Sequence, residues 1–307
     1  MRAVVMRETG GPDVLRYEET ERPEPGDGEV LIRGRAASVN PVDWKYRRGY
    51  VDRQLPAVLG NDISGTVELS RTQGFAPGDE VFGMVASGGY AEFSTARADT
   101  IAHKPAGLSH EQAATIPVSG VTGWQALFDS GGLERGQTAV IAGAAGGVGH
   151  LAVQLAKFAG ARVVATGSSR NRDFVVGLGA DQYIDYREQH VAEAVSGVDV
   201  AFDLVGGETT QSLLPVVRAG GILVSIAYPP PVGWHATEEL ARRNGVRTEL
   251  VVMSPKPEQM TRIAELVATG EVRVEIAEML PLSEVRRAHE LSESGHTRGK
   301  IILTVGG

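Results

Sequence analysis

The stretch TAVIAGAAGGVGHLAVQLAK, Thr138 to Lys157, constrains this chain more than any other. A strand-like apolar run passes through a crowd of Gly and Ala into a helical pattern, with no charge before the last residue. Such a turn keeps side chains away so that something else can approach the backbone. Gly146 and Gly149 fall where AVIAG hands over to GHLAVQLAKF, and Ala144 takes the first position of the usual G-x-G-x-x-G string. In that geometry the amides of Ala145, Gly146, Gly147, Val148 and Gly149, with the positive end of the following helix, suit a pyrophosphate. Taken alone, the glycine match also fits a tight structural turn.

The surroundings support a ligand. From about Glu111 to Arg262, apolar strands such as RVVATG, VDVAFDLVG and GILVSIA alternate with helical segments such as RDFVVGLGA and TTQSLLPVVRAG. Alternation at this spacing predicts βαβ units and an α/β fold with a doubly wound parallel sheet covered on both faces. Residues 1–110 read differently: short alternating runs punctuated by GGPD, PEPGDGE and APGDE predict a compact, irregular β-domain. The tail from 263 to 307 reads as helix, strand, helix and a last apolar strand, and is expected to complete the first domain. PLSEVRRAHELSES puts Leu282, Val285, Ala288, His289 and Leu291 near one helical face.

About 20 residues beyond the glycine turn, a dinucleotide site built for NAD carries an acid for the ribose 2′-OH. Here His150 through Arg172 contains no Asp or Glu; Ser168, Ser169, Arg170, Asn171 and Arg172 gather there instead. Guanidinium groups bind a phosphate dianion strongly, whereas a carboxylate would repel it. The pattern favours NADPH, against the alternative of a polar loop with solvated arginines. Asp203 lies two strands too late for the ribose and is read, with Val205 and Gly206, as a strand end near the nicotinamide.

Composition closes off other classes. The 307 residues are 42% hydrophobic with a formal charge of −8, so a folded core is expected and nucleic-acid binding is not. The chain has no cysteine, which removes disulfides, thiolate nucleophiles and Cys-built zinc sites. The N-terminus lacks a secretory pattern and no apolar run spans a bilayer, so no membrane association and a cytoplasmic location are expected.

Several long stretches, in order, resemble the zinc-independent medium-chain dehydrogenases/reductases of the quinone oxidoreductase (zeta-crystallin-like) type: SVNPVDWKYRRG, LPAVLGNDISGTV, GGYAEF, AGAAGGVGHLAVQLAK, LGADQYIDYR and GHTRGKIILTV. The resemblance covers nearly the whole chain. It implies a GroES-like catalytic domain, a Rossmann cofactor domain and an active-site cleft at their junction. Zinc-dependent relatives carry the histidine of a GHE string where this chain has Gly60, Asn61 and Asp62; with the missing cysteines, no metal is expected. By the same resemblance Tyr90 and Thr122 line the nicotinamide pocket, Thr122 alternatively capping its helix. Tyr186 stacks near the adenosine phosphate, Ser225, Ile226 and Ala227 line the nicotinamide strand, and Arg298, Gly299 and Lys300 close over the cofactor. Gly299 alternatively serves a plain turn. A homodimer paired through Rossmann edge strands is also implied.

Without a metal, the negative charge that hydride transfer develops on a substrate oxygen needs hydrogen-bond donors and a delocalised acceptor. A quinone or other conjugated carbonyl meets the second need. Candidate donors are Asn40, Lys45 and Tyr46, with Asp43 orienting one of them; solvated or packed side chains are the alternative for each. The leading expectation is an NADPH-dependent quinone oxidoreductase. An enone or enoyl reductase of the 2-alkenal or polyketide type is the enzymatic rival, and a non-catalytic NADPH-binding structural or sensor protein the rival from another class.

Overall fold

The computed structural model describes residues 1–86, 88–226 and 233–306. Two compact units emerge, 1–121 with 254–307, and 122–253.

In the first unit, the alternating runs form a sheet in the order Ile276–Pro281, Lys300–Thr304, Glu29–Val39, Asp62–Ser70, Glu80–Met84, Ile101–His103, with Phe93–Arg97 also paired to Glu29–Val39. Leu15–Glu19, Arg2–Met6 and Ala57–Val58 make a smaller sheet. The last apolar run, KIILT, lies antiparallel to Glu29–Val39 with Ile301 opposite Val39 and Leu303 opposite Ala37. Ile301 and Leu303 enter the same buried cluster as Val30, Ile32, Ile63 and Leu280. Each side chain of that size contributes about 1.5–3 kcal/mol by leaving water, enough to bind the chain's two ends into one core. The tail helix Val285–Glu293 turns Val285, Ala288 and His289 inward, and Leu282 just before it is buried too.

The unit boundaries fall elsewhere than the change in sequence texture suggests. Helix His110–Ala114 follows the first sheet, Ala114 packing with Ala36 and Ile302. Helix Pro257–Ala268 belongs wholly to the first unit, where Ile263 approaches Gly120. Texture changes where helices begin; the boundary is set by which sheet those helices cover.

The second unit carries six strands in the order Gln182–Asp185, Arg162–Gly167, Thr138–Ala142, Val198–Asp203, Val217–Ser225, Arg247–Leu250. Every neighbouring pair is parallel. Counted along the chain this is 3-2-1-4-5-6, the doubly wound Rossmann order, and the first unit is the strand-rich GroES-like partner. Thr138–Ala142 and Val198–Asp203 are almost wholly buried, as strands with helices on both faces must be. Among the described residues no helix is long and apolar enough to cross a membrane.

Helix Gly149–Phe158 leaves the central strand so closely that a Cβ at Gly149 would lie 2.3 Å from the Gly143 carbonyl oxygen and 2.7 Å from the Ala144 Cα. Backbone cannot yield as a side-chain tip does. Gly149→Ala is therefore expected to destabilise the protein by about 1–3 kcal/mol, read as a lower urea midpoint at unchanged slope.

Candidate functional site

The second unit's strands end on one edge, and the residues expected to hold a dinucleotide collect there. Thr138–Ala142 runs into the turn at Gly143, where Ala144 and Ala145 are buried while Gly146, Gly147 and Val148 stay partly open ahead of the helix. Ala142 is level with Asp203 on the adjacent strand, and Asp203 in turn with Ser225. A Cβ on Gly143 would come within 3.3 Å of Val205 Cγ2, so the glycine turn and the Val205–Gly206 loop are neighbours. Asp203 is buried and builds that loop: one carboxylate oxygen accepts the Val205 and Gly206 amides at 2.9 and 3.0 Å, and the other accepts the Thr210 hydroxyl. Both of its carboxylate oxygens are engaged by the protein, in keeping with a strand-end role. Ser225 is buried and Ile226 donates its amide to the Asp203 carbonyl; Ala227 lies outside the described residues. This crevice at the carboxyl ends, where the strand order reverses, is where open α/β sheets take ligands.

One strand over, Arg162–Gly167 ends in the polar loop. Ser168 is buried and starts a short 3-10 turn, its carbonyl accepting the Asn171 amide at 2.9 Å. Ser169, Arg170 and Arg172 are exposed and Asn171 half-buried. Beyond them Tyr186 is 57% exposed, its amide 3.4 Å from the Gly167 carbonyl, with the Arg187 guanidinium 5.7 Å from its ring centre. One acid stands near: Asp185, level with Gly167, is buried and accepts the Arg187 amide at 2.9 Å, which holds its carboxyl below the usual range. It belongs to the third strand, which a search for a carboxylate after the second strand misses. Thr122 sits inside helix Pro117–Trp124, not at its N-terminus, and is buried.

The first unit holds a buried polar cluster. Asn40 precedes helix Pro41–Arg48, and its amide N–H donates to Asp43 Oδ2 at 2.8 Å. Tyr90, fully buried, donates its hydroxyl to the same oxygen at 2.7 Å. Gly60 makes room for it: at φ +88° it adopts the left-handed region, and a Cβ there would stand 2.4 Å from the Tyr90 ring. Behind them Asp62 Oδ2 accepts Ser38 Oγ at 2.6 Å and Asn40 Nδ2 at 2.9 Å, while Oδ1 accepts the Val118 amide at 2.9 Å. Lys300, which the resemblance groups with residues closing over the cofactor, turns its ammonium inward and donates to Asn40 Oδ1 at 2.6 Å. It stands 3.9 Å from Asp62. Burial pushes Asp62 up and Lys300 down from their ordinary ranges, and each one's charge draws the other back. Asp43 is pushed up to about 6, mainly by burial, and Tyr90 is raised by burial and by Asp43.

Of the other expected donors, Lys45 and Tyr46 are half-buried on the same helix. Burial lowers the Lys45 ammonium, and the Arg53 guanidinium lies 4.8 Å over the Tyr46 ring. Arg298 pairs with Glu275 at 3.0 Å. Gly299, at φ +74°, would place a Cβ 2.2 Å from the Glu275 carbonyl oxygen, which accounts for glycine as a turn residue. Sequence patterns did not single out Ser38, Asp62 or Tyr183; the only trace of Asp62 was its place in the GND string.

The alcohol dehydrogenase GroES-like domain matches residues 26–106, and the zinc-binding dehydrogenase family matches residues 178–303. A chloroplast envelope quinone oxidoreductase homolog from Arabidopsis thaliana is 33% identical, over 96% of this chain and 95% of that protein. The chain belongs to the quinone oxidoreductase group of medium-chain dehydrogenases/reductases. The quinone oxidoreductase structure from Coxiella burnetii superposes with a TM-score of 0.95 at 36% identity, covering 100% of this chain and 99% of that one. The Escherichia coli quinone oxidoreductase complexed with NADPH gives 0.91 at 28% identity, with 99% and 100% covered. In this medium-chain oxidoreductase no group of three or more His, Cys, Asp or Glu is placed to hold a metal among the described residues.

Asp43 Oδ1 has no hydrogen-bond partner among the described side chains, so ionising this carboxyl is costly. Its folded pKa of about 6 lies above that of an unfolded Asp, about 3.9. The folded state therefore holds the proton more tightly, and this group's contribution to stability falls as pH rises from about 4 to about 6. Relative to Asp43→Asn, the wild-type protein is expected to lose about 2 kcal/mol between pH 4 and pH 7, measured by urea unfolding at each pH.

Proposed function

We propose that this chain is a metal-independent reductase that takes hydride from NADPH and delivers it to a quinone or a similarly conjugated carbonyl. The observation that carries the cofactor choice is the exposed Arg170 and Arg172 beside the end of Arg162–Gly167, on a loop with no carboxylate of its own. Two guanidinium groups there complement a ribose 2′-phosphate. The pyrophosphate is assigned to the amides from Ala145 to Gly149 and the nicotinamide to the ends of the fourth and fifth strands, near Val205, Gly206, Ser225 and Ile226. The names of the relatives support a quinone as acceptor.

The chemistry assigned to the first unit follows from charge flow. Bound NADPH supplies the hydride. As charge builds on the acceptor oxygen, a donor must face it; Lys45, Tyr46 and the second amide hydrogen of Asn40 are the proposed donors, with Asp43 holding the Asn40 backbone in place. A conjugated acceptor spreads the charge, so this neutral or singly cationic donor set replaces a Lewis acid. Pairing of two copies through the edge strand Arg247–Leu250 is the proposed assembly.

Calorimetry tests the cofactor: wild type is expected to bind NADPH more tightly than NADH. Arg170→Glu is expected to weaken NADPH roughly tenfold or more while leaving NADH within about twofold, because only NADPH meets the reversed charge. Turnover of a quinone faster than a 2-alkenal supports the acceptor; the opposite ranking favours an enone reductase, and NADPH binding without oxidation of either favours a non-catalytic binder. Sedimentation of a monomer at micromolar concentration would exclude the dimer.

A further inference from the structure

Tyr183 lies in the third strand of the second unit, Gln182–Asp185. It is 7% exposed. Its hydroxyl donates to the Ser168 carbonyl at 2.7 Å, the same oxygen that accepts the Asn171 amide at 2.9 Å. The turn bearing Ser169 and Arg170 is thus closed by one bond from within and held to the neighbouring strand by the Tyr183 hydroxyl, beside Asp185, whose carboxylate accepts from Ser169. The ring has its own task, with the Arg172 guanidinium 5.2 Å from its centre. Such a contact restrains a flexible cation that would otherwise sample many rotamers.

The strand before the turn is shaped to admit this hydroxyl. A Cβ built at Gly167 would lie 2.3 Å from the Tyr183 oxygen but 3.2 Å from the ring carbon that bears it. Glycine at 167 and tyrosine at 183 therefore form a matched pair, with the oxygen the severe obstruction to a side chain at 167 and the ring carbon a tight contact that must give by a few tenths of an ångström. Burial, with Asp185 nearby, pushes the Tyr183 phenol up to about 12, so the hydroxyl remains a donor across the ordinary pH range.

We propose that Tyr183 is a positioning residue for cofactor choice: through the Ser168 carbonyl and Arg172 it fixes the loop that discriminates a 2′-phosphorylated nucleotide from one with a free 2′-hydroxyl. The inference rests on the NADPH assignment above. Tyr183 touches neither phosphate nor nicotinamide in this scheme; it sets where Arg170, Asn171 and Arg172 stand. Binding energy for the phosphate is greater when these groups are already held, because less freedom is lost on binding.

The test is calorimetric titration of NADPH, NADH and 2′,5′-ADP into the full chain and three variants. Tyr183→Phe keeps the ring and removes the hydroxyl; it is expected to weaken NADPH and 2′,5′-ADP about three- to tenfold and NADH by less than about twofold. Gly167→Ala, which drives a methyl against the hydroxyl, is expected to lower the same selectivity. In the Gly167→Ala/Tyr183→Phe double variant the methyl meets no oxygen, so its selectivity is expected to match Tyr183→Phe alone, a non-additive result. Thermal melts of each variant establish that the fold is retained. A purely structural role for Tyr183 would weaken both dinucleotides by the same factor, and that result, or an unchanged ratio, overturns the proposal. Equal binding of NADPH and NADH by the wild-type protein would instead overturn the cofactor assignment itself and this inference with it.

Discussion

Asp62 has no exposed surface, and the first unit is organised around keeping its carboxylate satisfied. An isolated buried carboxylate is costly, so donors must converge on it. They come from three places: Ser38 and Asn40 at the end of one strand, the Val118 amide, and the charge of Lys300 on the last strand. The ammonium in turn takes Asn40 Oδ1, which fixes the amide's orientation, since a cation needs its oxygen and a carboxylate its nitrogen. One junction thereby fastens the tail to the N-terminal sheet and holds both ends of the Asn40 amide. Asn40 matters less as a freely mobile donor than as a group held rigid by opposite charges.

The second unit depends on close approach of backbone. Gly149 lets its helix start hard against the central strand, and Gly167 admits the Tyr183 hydroxyl beneath the polar loop. Both glycines serve the strand-end edge, one under the proposed pyrophosphate and one under the proposed 2′-phosphate. Asp203 braces the adjacent loop from inside with both carboxylate oxygens engaged. The edge combines the partly exposed turn residues Gly146, Gly147 and Val148, exposed guanidiniums and internally bonded acids, a favourable field for a polyanionic cofactor despite the chain's net charge of −8.

What the sequence revealed and what it hid follow from the range of the interactions. The parallel sheet and glycine turn were legible because strand periodicity, turn glycines and helix starts are local patterns. The family resemblance extended that reading to the strand-rich unit. Illegible were the contacts made across the chain: Lys300 reaches Asn40 over 260 positions, and nothing near either residue announces the other. The role of Tyr183 is hidden because its hydroxyl's partner is a backbone carbonyl, and carbonyls leave no trace in composition. The unit boundaries were hidden for a related reason, since the helices at 110–114 and 257–268 resemble those of either unit until their contacts are known.

The proposed reaction is hydride transfer from NADPH to a conjugated acceptor whose developing negative charge is met by hydrogen-bond donors of the protein, without a metal. The most direct measurement is single-turnover oxidation of NADPH at 340 nm with a benzoquinone acceptor, on protein dialysed against a strong chelator and assayed for zinc. The account predicts the same burst before and after dialysis, with no response to added zinc. A burst abolished by the chelator and restored by zinc would contradict it.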